Sequence, residues 1–96
     1  MTEQQWEEIG DKEYLHFDRI PENDRPSSHP DICALLYIEN LVGPSEKNHD
    51  MIESAEHDMF YAAQYNLAEI TPADAVYLCR CGVHYVTEFE CFAFFT

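Results

Sequence analysis

The stretch from Val83 to Thr96 constrains the fold more than any other part of the chain. Valine, tyrosine, threonine and phenylalanine dominate it, and such side chains favour a pleated backbone. In an extended Phe89–Phe95, Phe89, Cys91, Ala93 and Phe95 share one face and Phe92 and Phe94 the other. Both faces are apolar, so the strand must be covered twice. It is either central in a sheet under helices or part of an interface between two copies of the chain. Thr87-Glu88 can turn a hairpin between Val83–Val86 and Phe89–Phe95; one continuous strand is the alternative.

The covering helices are read from caps and periodicity. Thr71-Pro72-Ala73-Asp74 is the sharpest local signal: a capping hydroxyl, proline in the first turn, and a carboxylate three residues after the cap. It predicts a helix over Ala73 to Cys81, closed by Gly82. Thr2 with Gln5 has the same spacing and opens a helix to Gly10, with Trp6 and Ile9 facing the core. Ser28 is expected to cap a second helix that starts near Pro30, runs to Val42 and stops at Gly43-Pro44. It is apolar almost all round, which predicts burial. Ser45 to about Asn66 is predicted as the longest helix, with Met51, Ala55, Met59, Ala62 and Tyr65 in one apolar stripe. Lys12–Ile20 alternates and is expected as a strand, and the proline-rich Pro21–Pro30 as a loop. The sum is an α+β chain of three to four helices packed on a small antiparallel sheet or C-terminal β-hairpin.

At 96 residues this is one domain, able to bury about two-thirds of the surface its unfolded chain exposes. No apolar run nears the roughly 20 residues that span a bilayer, and Met1–Glu8 is too acidic for a secretory leader, so the expected location is the cytoplasm of the host cell. Cys33, Cys79, Cys81 and Cys91 lie in apolar runs and are expected as reduced, buried thiols.

Charge narrows the function. Nineteen Asp and Glu stand against five Lys and Arg, a formal net of −14. That exceeds the magnitude of about 2–8 that keeps a small domain soluble. Nucleic acid and anionic membranes are poor direct partners for such a surface; a basic protein is favoured.

Sites for chemistry are few. Cys79, Cys81, His84 and Cys91 invite comparison with zinc ligands, helped by Cys33 or His57. Yet residues two apart on a helix point to nearly opposite sides, and paired structural ligands are normally spaced wider, so no metal or other cofactor is expected. His49, Glu53 and His57 share a helical face without an HExxH pattern and are expected to be solvated. Cys91 with His84 could form a thiol–imidazole pair, but neighbouring Glu90 opposes the thiolate. With three glycines in all there is no phosphate-cradling loop. The chain is therefore expected not to be an enzyme.

What remains is carboxylates in rows. Glu3, Glu7 and Asp11 follow at i, i+4, i+8; Glu46, Asp50 and Glu53 form a second predicted helical stripe, extended by Glu56. Each like-charge pair costs a helix about 0.2–0.5 kcal/mol. Carboxylates one turn apart stand about 5–6 Å from each other, close to the phosphate spacing of a nucleic-acid strand. In size, acidity and lack of a catalytic motif, the chain resembles the small inhibitors that phages and mobile elements direct against host nucleases, of anti-CRISPR and anti-restriction type. The run Tyr77-Leu78-Cys79-Arg80-Cys81-Gly82-Val83-His84-Tyr85 through Phe89-Glu90-Cys91-Phe92 is similar to the ends of phage proteins. The expectation is an acidic DNA mimic that inhibits a basic nucleic-acid-binding host protein by occupying its groove. The alternatives are an interaction module anchored by Phe92 and Phe94 or by Trp6, able to form a homodimer, and a zinc-stabilised domain.

Overall fold

A computed structural model describes residues 1–43, 50–56 and 58–95. Three helices, α1 (Glu3–Glu13), α2 (Pro30–Val42) and α3 (Pro72–Arg80), accompany four strands, β1 (Ile52–Glu56), β2 (Met59–Gln64), β3 (Val83–Val86) and β4 (Cys91–Phe95). The strands form one antiparallel sheet in the order β1-β2-β4-β3. The fold is α+β, as expected from the sequence.

β4 holds the interior position that its two apolar faces demand. Phe92 and Phe94 are 0% and 8% exposed. Phe92 packs against Trp6 of α1 and against Tyr65 and Tyr85 at ring-centroid distances of 6.4, 6.0 and 5.8 Å. The chain itself covers this strand, so burial of Phe92 requires no second copy. Ala75, Leu78 and Cys79 of α3, Cys33, Ala34 and Ile38 of α2, Ala62 and Ala63 of β2, and Val83 belong to the same core.

Both capping boxes form. Thr71 Oγ1 accepts from the Asp74 amide at 3.1 Å and the Asp74 carboxylate from the Thr71 amide at 3.0 Å. Thr2 and Gln5 exchange the same pair of bonds. Asp74 also accepts from the Tyr37 hydroxyl at 2.6 Å, and Tyr37 stacks on Tyr77, which locks α2 to α3. Gly82, at φ 88°, makes the left-handed turn from α3 into β3, a conformation natural to glycine.

Four local expectations are corrected. Ile52–Glu56 and Met59–Gln64 are paired antiparallel strands where a long helix was expected. The helical stripe is a coincidence of spacing: Phe60, Tyr61 and Tyr65 suit a strand equally, and β4 needs a neighbour on each side. Residues 44–49 and 57 lie outside the described part, so the proposed cap at Ser45 does too. Lys12–Ile20 is not a strand. α1 continues through Gly10 to Glu13, Leu15 turns at φ 65°, and Phe17–Arg19 forms a 3-10 turn. Tertiary bonds fix this path: Glu13 is held by Arg80 at 2.8 Å and Arg19 at 3.3 Å, and the Leu15 amide donates to Cys79 O. His29, not Ser28, is the N-cap of α2, with no side-chain cap bond. That helix is not buried all round, since Ile32 and Leu36 are 42% and 41% exposed.

Candidate functional site: an acidic and aromatic sheet face

The two faces of the sheet differ. Phe92, Phe94, Val83 and Tyr85 look toward α1 and α3. On the other face, Cys91 and Ala93 of β4 lie in register with Gln64 and Tyr61 of β2 on one side and with Val86 and His84 of β3 on the other. Cys91 and Ala93 are buried, but Phe89 and Phe95 at the two ends are each 55% exposed.

Two irregularities shape this face. Ile52 pairs with Ala62 and Ser54 with Tyr61, so Glu53 is an extra residue in β1. In β2 the pairing steps from Tyr61 with Ala93 to Gln64 with Cys91, which leaves one residue extra among Ala62 and Ala63. Bulges of this kind re-aim side chains. Here they bring Glu53, Ser54, Glu56, Tyr61, Gln64, Phe89 and Cys91 around one groove of about 370 Å³. Phe89 stands edge-on to Tyr61 at 5.8 Å. It sits in the β3–β4 turn, whose Glu90 takes φ 50°, and the turn is tied to β2 by the Tyr65 amide donating to Glu90 O at 2.9 Å and by Gln64 Nε2 donating to Phe89 O at 3.4 Å.

The predicted carboxylates fall at two edges of the molecule. Glu53 and Glu56 lie exposed on edge strand β1, and Asp50 lies exposed just before it. They do not form a helical row; Glu46 lies outside the described residues. Glu3, Glu7 and Asp11 do form the expected helical stripe, exposed on α1. Glu7 and Asp11 line a second groove beside β3. The edges are three strand spacings apart, about 14 Å. The β3–β4 turn bridges them: Thr87 donates to Glu3 at 3.5 Å, and Phe89 lines the Glu53 groove.

The arginines are elsewhere. Arg19 and Arg80 hold Glu13; Arg25 donates to Ile20 O at 2.6 Å and lies 5.1 Å from the Phe17 ring centroid. All three arginines thus serve the seam of α1, the following turn and α3. From Asp50 onward Arg80 is the only Lys or Arg in the sequence, and among the described residues no ion pair joins a cation to Glu53 or Glu56.

Cys79, Cys81 and Cys91 are poor nucleophiles. Burial pushes Cys79 and Cys81 up to about 12. Burial, then the charge of Glu53, raises Cys91. His84 shares the open face with Cys91 but pairs its Nε2 with Tyr14 Oη at 2.9 Å, and burial lowers its pKa. Among the described residues no group of three or more His, Cys, Asp and Glu side chains is arranged to hold a metal, and no helix there is long and apolar enough to cross a membrane. Phe92, Phe94 and Trp6, expected as anchors in the adaptor reading, are buried and cannot serve; Phe89 and Phe95 are the exposed aromatics. Phe89 was expected in the terminal strand; it stands in the β3–β4 turn instead, because β4 begins at Cys91. Tyr61 and Gln64 were hidden by the helical reading of their segment.

No family model, curated protein or solved structure matches the chain.

Proposed function

We propose that this protein acts by binding, as an acidic inhibitor of a basic nucleic-acid-handling protein, and that its docking surface is the open sheet face with its carboxylate rim. One observation carries the reading: exposed Phe89 and half-buried Tyr61 share a groove with exposed Glu53 and Glu56, while the arginines are spent at the far seam. Exposed aromatics supply anchoring area at low entropic cost, and carboxylates around them steer a basic partner into register. A basic groove evolved for phosphates accepts such a surface in place of its nucleic acid. The helical stripe of α1 adds charge to the same surface through Thr87 and Glu3. The size, acidity and C-terminal resemblance to phage-encoded inhibitors support the target class. An adaptor reading with a non-basic partner shares the aromatic anchor but needs none of the charge.

The test is affinity capture from host-cell lysate with the wild type and with Glu53→Gln/Glu56→Gln/Phe89→Ala side by side. The reading predicts a basic nucleic-acid-binding protein held by the wild type, released by salt and by competing nucleic acid, and lost with the variant. Retention of the same partner by the variant, with no competition from nucleic acid, sinks it.

A further inference from the structure

The groove between α1 and β3 has a volume of about 580 Å³ and a composition of its own. Trp6, Cys79 and Val83 are buried and form its floor; Tyr14, His84 and Tyr85 are half-buried and form its walls; Glu7 and Asp11 are exposed and form its rim. The polar ends of the wall residues are already used, with Tyr85 donating to Tyr65 O at 2.6 Å and Tyr14 paired with His84. Among the described residues nothing bonds to the side chains of Glu7 or Asp11. The groove therefore offers aromatic surface and two unpaired carboxylates one helical turn apart. Burial lowers the pKa of the His84 imidazole and so disfavours an opposing charge there.

Gly10 sits on the same helical face, between the rim carboxylates and Tyr14, and lines the groove. Glycine is costly in a helix interior, and no close contact demands it: a Cβ there would meet nothing within 4 Å. What the missing side chain does is leave the groove open.

We propose that this groove is a binding site for a guanidinium group, presented by an arginine side chain or by an arginine-like small molecule. A guanidinium is planar and weakly hydrated. It stacks on aromatic rings while its N–H fork reaches carboxylates, which a compact ammonium does less well. The groove is a different one from the sheet-face groove, and although its rim carboxylates belong to the α1 stripe, guanidinium binding here does not require the function proposed for the sheet face.

Trp6 is the one tryptophan in the chain and lies in the floor, so its fluorescence reports occupancy. The titrants are N-acetylarginine amide, for a peptide-borne arginine, and free arginine, for a small ligand, at constant ionic strength, with N-acetylcitrulline amide as the neutral control. A saturable change with at least one arginine titrant is expected, with a dissociation constant of about 1–10 mM, and none with citrulline. Glu7→Gln/Asp11→Asn should weaken it about tenfold. Gly10→Leu should abolish it while raising the melting temperature, so loss of binding cannot be ascribed to unfolding. Glu53→Gln/Glu56→Gln should leave it unchanged. No saturable response to either arginine titrant, an equal response to citrulline, or undiminished binding by Gly10→Leu overturns the site.

Discussion

Phe92 and Phe89 are the same residue type three positions apart, and the molecule uses them in opposite ways. Phe92 lies under Trp6, Tyr65 and Tyr85 and is fully buried; Phe89 stands in a turn, more than half exposed, beside Tyr61 and two carboxylates. The covered face of the sheet carries helices, ring contacts and core. The open face carries aromatic surface with negative charge around it. Aromatic content alone therefore says little about function; the face on which a ring lies separates fold from surface.

That contrast can be broken first at Phe92. Phe92→Ala should cost about 3–5 kcal/mol, a large share of the total stability of a small domain, read as a fall in the urea midpoint. A loss below about 1 kcal/mol means the covered face is not the core. Next is the helix laid on that face: Thr71→Ala removes the cap that accepts from Asp74 and should cost about 1 kcal/mol by the same assay.

The carboxylates divide in the same way. The hydrogen bond from Arg80, aided by Arg19, holds the Glu13 carboxyl below its ordinary range. A folded-state pKa below the unfolded one gives stability that is complete above the ordinary glutamate value of about 4.3 and is lost as pH falls through the folded value. Glu13→Gln should be less stable than wild type at neutral pH, and the gap should close in acid. A gap of the same size at every pH, with no narrowing in acid, means Glu13 acts through shape and not charge.

Phe89→Ala should change stability by less than about 0.5 kcal/mol while removing partner capture. The smallest effect has the opposite sign. Glu53→Gln/Glu56→Gln should leave stability equal or raise it by a few tenths of a kcal/mol at low salt, a gain that added salt erases. Marked destabilisation by either change would make the open face structural.

The sequence was readable where the local signal and the tertiary demand agreed. Thr71 with Asp74 predicts a helix start that no neighbour contests, and the two-sided apolar pattern of Phe89–Phe95 admits a central strand. Reading failed where they disagreed. Met51, Ala55, Met59 and Ala62 fit a helical period, but the interior position of β4 requires partners on both edges, and residues 59–64 fill one of them. The same override hid the functional candidates: on a helix Glu53 and Tyr61 are two turns apart, whereas the hairpin and its bulge bring both to one groove. Lys12–Ile20 alternates like a strand, but its path is set by Arg80, far along the chain, gripping Glu13. The stripe on α1 was legible because nothing in the fold contests it.

The most direct test of the division between the two faces is hydrogen exchange of the protein alone and bound to its captured partner. Binding should slow exchange in Ile52–Glu56, in Met59–Gln64 and around Phe89 and Glu90, and leave α2 unchanged. Protection centred on the exposed Ile32 and Leu36 of α2, with the sheet-face segments unaltered, would contradict the account.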